Sequence, residues 1–189
     1  MRLNKHEFEF IPEGHIYKID GEPVPSITQL LANKFPDKYK GISQDMLMRA
    51  ADKGTAVHKA IQDYCEQGIE SDLPELHNFK FLKKRYGFNV LHNERPVFLK
   101  VNGIIVAAGT YDMEIEIGGL IGGCDIKRTA KLDFEYLTYQ LNLYRIANKQ
   151  TYGKEWSFLR ALHLRDDVRK FIEIPIREDI LKEIGDMYL

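Results

Sequence analysis

The sequence predicts an α/β (α+β) protein with one mixed central β-sheet flanked by helices, and three observations lead there. Short strand-like runs occur in groups, longer helical runs separate the groups, and Gly, Pro, Asn or Asp bound both kinds. The 189 residues are 44% apolar, enough to bury one substantial core. No Pro/Ser-rich linker, internal repeat or low-complexity tract divides the chain. The expected organisation is one domain over 1–189, with an N-terminal hairpin and helices (1–53), a core (54–175) and a terminal helix (176–189).

Taken in order, residues 8–10 and 16–19 read as an opening hairpin around Pro12 and Gly14, closed by Asp20-Gly21. Pro25-Ser26-Ile27-Thr28-Gln29 is a helix start, because Ser26 and Gln29 stand in capping-box positions; that helix runs to about Asn33. After a turn at Pro36, a long helix extends from about Ser43 to Gln67, with Gly54 interrupting or kinking it and Gly68 stopping it. Within it, Val57, Ile61, Tyr64 and Cys65 recur at helical spacing as a buried stripe, and His58 borders that stripe one turn before Gln62. Pro74 opens a helix that ends near Gly87, and strands follow at 88–100 and 104–108. Asp133 is the predicted N-cap of a helix reaching about Lys149, with Phe134, Leu137, Leu141 and Tyr144 facing inward. Residues 155–164 and 168–174 read as two more strands, and 177–187 as the terminal helix.

Between these elements, 110–127 carries the most specific pattern. Tyr111, Met113, Ile115 and Ile117 alternate with Asp112, Glu114 and Glu116, the period of a half-buried strand. Residues 120–127 form its returning partner across Gly118-Gly119, a pair suited to the positive φ angles of a tight turn. Counting outward from the turn brings Asp112 opposite Asp125, with Cβ atoms roughly 5 Å apart. Two carboxylates so placed repel each other, so a positive group belongs between them, and magnesium is a natural occupant. Lys127, two residues past Asp125, emerges on the same face. A metal ion beside a fixed ammonium suits phosphodiester hydrolysis, since both offset charge on the transition state. Read without chemistry, the same residues are a surface hairpin with scattered charges, and His58 is a structural histidine. Gln140 and Tyr144, four apart on one helix, equally describe a polar edge beside a core tyrosine.

Together, GTAVH (54–58), GTYD (109–112), GGCDIKRT (122–129) and QLNLY (140–144) resemble the PD-(D/E)XK nuclease superfamily, in its RecB-like, phage-type exonuclease branch, over about residues 54–144. The resemblance implies a restriction-endonuclease-like core and a DNA nuclease of recombination, repair or replication using one or two Mg2+ or Mn2+ ions. It implies His58, Asp112 and Asp125 as metal ligands, with the Ile126 carbonyl as a further one, and Lys127 as the catalytic lysine. Gln140 and Tyr144 become the substrate-positioning pair, and Glu94 resembles the acid that some members place on their first core strand. Relatives that carry an iron–sulfur cluster hold it with four cysteines. This chain has Cys65 and Cys124, neither in a C-x-x-C pair, so no such cluster is expected.

The formal net charge is −1, low for a chain expected to meet a polyanion. The expected explanation is local: several acids belong to the metal site, and a bound cation reverses their field. Basic residues cluster at Lys80, Lys83, Lys84 and Arg85, at Arg128 and Lys131, and at Arg160, Arg165, Arg169 and Lys170. Arg128 and Lys131 gain from adjacency to Lys127 and are taken as substrate contacts; the rest read as solvated faces. No apolar run approaches the ~20 residues of a membrane span, and the expected setting is cytoplasmic, with single- or double-stranded DNA ends and a possible homo-oligomer or replication/recombination protein as partners. Two other classes stay open: a non-catalytic nucleic-acid-binding module on a nuclease fold, and a metal-dependent phosphoesterase of small nucleotides.

Overall fold

The structure, a computed structural model, describes residues 1–188. In chain order the elements are β1 (Arg2–Leu3), β2 (His6–Ile11), β3 (Ile16–Ile19), β4 (Glu22–Val24), α1 (Ile27–Lys34), α2 (Gln44–Gln67) and α3 (Pro74–Tyr86). They continue with β5 (Asn89–Val101), β6 (Ile104–Ile117), β7 (Leu120–Lys127), α4 (Phe134–Tyr152), β8 (Phe158–Leu164), β9 (Arg169–Ile174) and α5 (Ile180–Tyr188). β1 to β4 form an antiparallel sheet in sequence order, and β5 to β9 form a second, mixed sheet. In the second sheet β7 and β8 run parallel while the other neighbours are antiparallel. A parallel pair needs a crossover, and α4 supplies it.

Each face of the mixed sheet is covered. Val57 and Ile61 of α2, with Leu76, Phe79 and Leu82 of α3, pack on Met113, Ile115, Ile126 and Leu162. On the opposite face α1, α4 and α5 pack on Val97, Leu99, Ala107 and Ala161. Ala161 and Leu162 are consecutive and serve opposite faces, as strand geometry requires. The first sheet closes over one edge of this core through Leu3, Phe8, Tyr17 and Ile19, which cluster with Phe98 and Ala108.

The local signals place the helices well. Ser26 accepts from the Gln29 amide while Gln29 reaches back to the Ser26 amide, a complete capping box. Ser43 caps α2, Asp133 caps α4, and Pro74 occupies the first turn of α3. Three expectations change, each because of tertiary packing. Residues 104–108 and 110–117 are one 14-residue strand, because β5 pairs continuously along them. α4 is buried almost all round, from Tyr136 to Arg145, since α1 and α5 cover its back; Phe134, expected inward, is 49% exposed at its start. Gly54 does not interrupt α2, which runs unbroken for 24 residues.

A Cβ at Gly54 would meet nothing within 4 Å. Since glycine costs a helix interior about 0.5–1 kcal/mol relative to alanine, Gly54→Ala is expected to raise stability by about that amount. Chemical denaturation checks this, and an unchanged or lowered midpoint would count against it.

Candidate metal centre

Three neighbouring strands each bring one acid to the same level. Asn93↔Met113 and Arg95↔Tyr111 are facing pairs, which sets Glu94 of β5 opposite Asp112 of β6. On the other side, β6 and β7 pair from Ile117↔Leu120 to Met113↔Cys124, the register counted outward from the double glycine. Asp125 follows one step beyond the last pair, where the strands begin to separate. There Asp112 turns its carboxylate to the neighbouring backbone and accepts from the Ile126 amide at 2.6 Å. Glu94 has φ +43°, a left-handed conformation that costs a non-glycine residue about 1–3 kcal/mol.

His58, one turn into the buried half of α2, reaches this level from above the sheet. Its Nδ1 lies 3.2 Å from Glu94 Oε1 and 3.7 Å from Asp112 Oδ1, and its Nε2 lies 3.2 Å from the Ile126 carbonyl oxygen. One ligand atom each from His58, Glu94 and Asp112 lies within 4.8 Å of the others. When Nε2 carries a proton, it donates to the Ile126 carbonyl. Without that proton, two lone pairs face each other at 3.2 Å, close to the ~3 Å between adjacent ligands of an octahedral ion with bonds of about 2.1 Å. Burial alone would lower the His58 imidazole, but Asp112, Glu94 and Asp125 together outweigh it and hold it at about 9.

Asp125 and Lys127 form the second half of the site. Asp125 is 3% exposed, and the Lys127 ammonium lies 2.8 Å from its Oδ1 and 2.7 Å from its Oδ2. Burial raises the Asp125 carboxyl, Lys127 opposes that, and Asp112 adds to it. Burial would lower Lys127, yet Asp125 and Asp112 prevail and raise it. Lys127 hydrogen-bonds Oδ1 and forms an ion pair with Oδ2, so it partners both oxygens of Asp125. The neighbouring donor set, Glu94, Asp112 and the Ile126 carbonyl with one imidazole, is oxygen-rich and fits a hard divalent cation. The repulsion expected between Asp112 and Asp125 is thus offset within the chain, by His58 on one and Lys127 on the other.

The remaining expected residues are more dispersed. Tyr144 is 6% exposed, and burial raises its phenol, with Tyr17, Asp112 and Asp125 adding to the effect. Its ring lies across Gly109, where a Cβ would stand 3.1 Å from Cε1, so this glycine makes room for it. Gln140 is buried with Oε1 lacking a hydrogen bond among the described residues. Arg128, expected to face substrate, donates from Nε to buried Glu75 at 2.6 Å and from Nη2 to Asp166 at 3.4 Å. Lys131 is exposed in the connection before α4. Sequence reading missed Lys38, whose ammonium sits over the Tyr136 ring; burial and then Lys127 push it down to about 7. It lies in the irregular connection between α1 and α2, where no periodicity marks it.

The raised His58 value has a measurable consequence. An imidazole held above its ordinary 6.5 adds stability that is complete below pH 6.5 and is lost as the pH climbs through about 9. The shift corresponds to on the order of 3 kcal/mol. In a chelating buffer, Tm is therefore expected to fall between pH 6.5 and 9, and His58→Gln to flatten that slope. A variant with the same slope as the native chain would assign the effect elsewhere.

No protein-family model matches the sequence, and no curated protein matches it. Among solved structures the chain is similar to the crystal structure of SSO0001, at 15% identity over 86% of this chain and 73% of that one, with a TM-score of 0.46. A likeness that loose carries no argument about function.

Proposed function

We propose that the protein is a divalent-metal-dependent deoxyribonuclease that hydrolyses phosphodiester bonds with Mg2+ or Mn2+, favouring DNA ends as an exonuclease. One observation carries the reading: His58, Glu94, Asp112 and the Ile126 carbonyl converge beside an ion pair of buried Asp125 with half-buried Lys127. With His58 neutral, three carboxylates and one ammonium leave two net negative charges, which a single divalent ion balances. Glu94, Asp112, His58 and the Ile126 carbonyl would hold that ion; Asp125, expected as a ligand, instead has its carboxylate engaged by Lys127, and Glu94 takes the third place in the cluster. Such an ion, when bound, polarises the phosphoryl group and lowers the pKa of water.

The chain's own residues do the rest. Asp125 fixes the Lys127 ammonium, which then offsets the charge growing on the phosphoryl oxygens in a partly water-excluded site. Glu94 holds the His58 ring in orientation through Nδ1, so Nε2 is the nitrogen presented to the site. Lys38, on the Tyr136 side, is suited to a substrate phosphate, whose negative charge would favour its protonated form.

The test is end-labelled linear DNA beside closed circular DNA, each with Mg2+ and with chelator. Mg2+-dependent release of nucleotides from the linear form alone is the expected result. DNA binding without cleavage would replace the reading by a non-catalytic module, and activity confined to mononucleotides would replace it by a phosphoesterase.

A further inference from the structure

A second charged surface lies outside the metal centre, built from two basic clusters far apart in the chain. α3 packs against β8 and β9, and Asn78 fixes the junction by donating to the Arg165 carbonyl at 2.8 Å. This brings Lys83, Lys84 and Arg85 of α3 to the same surface as Arg169 of β9. Two shallow depressions, of about 500 and 410 Å³, lie there side by side and share Phe81 as a wall. Phe81 and Tyr86 are 40% and 43% exposed, with Tyr86 also packed on Phe171 (ring centroids 4.8 Å apart), so the face combines partly open aromatic rings with cations. The Arg169 guanidinium stands 3.8 Å from the Phe81 ring centre.

The charges on this face are not neutralised locally. Lys80 pairs with Glu70 at 2.7 Å, but Lys83, Lys84, Arg85 and Arg169 form no ion pair among the described residues. In a chain of net charge −1, that is a segregation of charge rather than a general excess. Two helices, α2 and α3, link this face to the metal centre. Glu75, in the first turn of α3, is paired to Arg128 immediately after Lys127, and the α3 cations lie about two turns further along the helix. α2 carries both His58 and Tyr64, a wall of the larger depression, about 9 Å apart along its axis.

We propose that the α3–β9 face is a second nucleic-acid contact, holding single-stranded DNA that leads away from the metal centre. Lys83, Lys84, Arg85 and Arg169 pair with phosphates, and Phe81 and Tyr86 offer their ring faces to unpaired bases. Cations interleaved with exposed aromatic rings suit single strands, whose bases are free to stack, whereas a duplex keeps its bases covered. The proposal rests on the nuclease reading for its ligand, but its test does not depend on cleavage.

The measurement is fluorescence anisotropy of the full chain with a labelled single-stranded 30-mer in Ca2+ buffer, across a salt titration. Lys83→Gln/Lys84→Gln/Arg85→Gln, at solvent-facing helix positions, is expected to weaken binding by about 10-fold and to reduce the salt slope by about 2, since each phosphate contact contributes about 0.7 for a single strand. The melting temperature should match that of the native chain. Phe81→Ala is expected to weaken single-strand binding and leave duplex binding unchanged. Unaltered affinity and slope in the triple variant would overturn the proposal. Equal losses on duplex and single strand in Phe81→Ala would overturn its single-strand assignment. Weakened binding in the triple variant, with no cleavage by the native chain, would keep this face and reject the nuclease reading instead. A second triple variant, Lys83→Glu/Lys84→Glu/Arg85→Glu, must show a larger loss in the same direction, or the electrostatic account fails.

Discussion

On the proposed nuclease reading, Lys127→Met is expected to lower the Mg2+-dependent rate on linear DNA by about 10²–10³-fold, or about 3–4 kcal/mol of transition-state stabilisation. The reason is geometric. Lys127 is held by both oxygens of Asp125 on a three-strand shelf, so its charge is in place before substrate arrives. The partner substitution, Asp125→Asn, removes the largest influence holding the buried ammonium in its charged form. That variant should therefore lose about as much rate as Lys127→Met, and the double variant little more, because the two act as a unit. Single-turnover rates at saturating Mg2+, with far-UV circular dichroism as a control for folding, decide the matter. Native rates in folded Lys127→Met would remove the lysine from the mechanism.

Gly123→Ala is expected to destabilise the core strongly. A Cβ at that position would lie 2.2 Å from Cε3 and Cζ3 of the Trp156 ring, which is wholly buried. The indole also donates to Glu114 Oε2 at 2.7 Å, and Glu114 is itself fully buried. Displacing the ring therefore combines overpacking, about 1–3 kcal/mol, with an unpaired buried carboxylate at a similar or larger cost. A loss of about 4 kcal/mol is expected, on the order of a 10 °C fall in Tm for a chain of this size. Thermal unfolding of Gly123→Ala beside Gly54→Ala makes the comparison direct: the same added methyl should act with opposite sign. A Gly123→Ala variant within a degree of the native Tm would mean that the indole has room after all.

That contrast also marks the limit of what local pattern conveys. The motif GGCDIK reads from sequence as a turn-bearing strand leading to an acid and a lysine, and that part is legible. Why the second of its glycines must be glycine is not, because Trp156 arrives from beyond a 19-residue helix. Glu114 shows the same gap. Its place in an alternating strand suggested a wet face, yet helices cover both sides of the mixed sheet and an indole meets its carboxylate. Arg128 stands beside Lys127 in sequence, but Glu75 of α3 claims its guanidinium.

By itself the sequence determined the pieces whose interactions are short in range. These are the capped ends of α1, α2 and α4, and the register of β6 against β7, which a two-glycine turn imposes on its flanks. That register is enough to bring Asp112 and Asp125 to one level. The tertiary structure decided which groups surround them. Glu94 joins through the β5–β6 pairing and a left-handed φ, His58 through the docking of α2, and Lys38 through the path of an irregular connection. The physical reason is that a turn fixes its neighbours through a few backbone dihedrals, whereas a contact between distant segments exists only once burial of the whole core has chosen their relative positions.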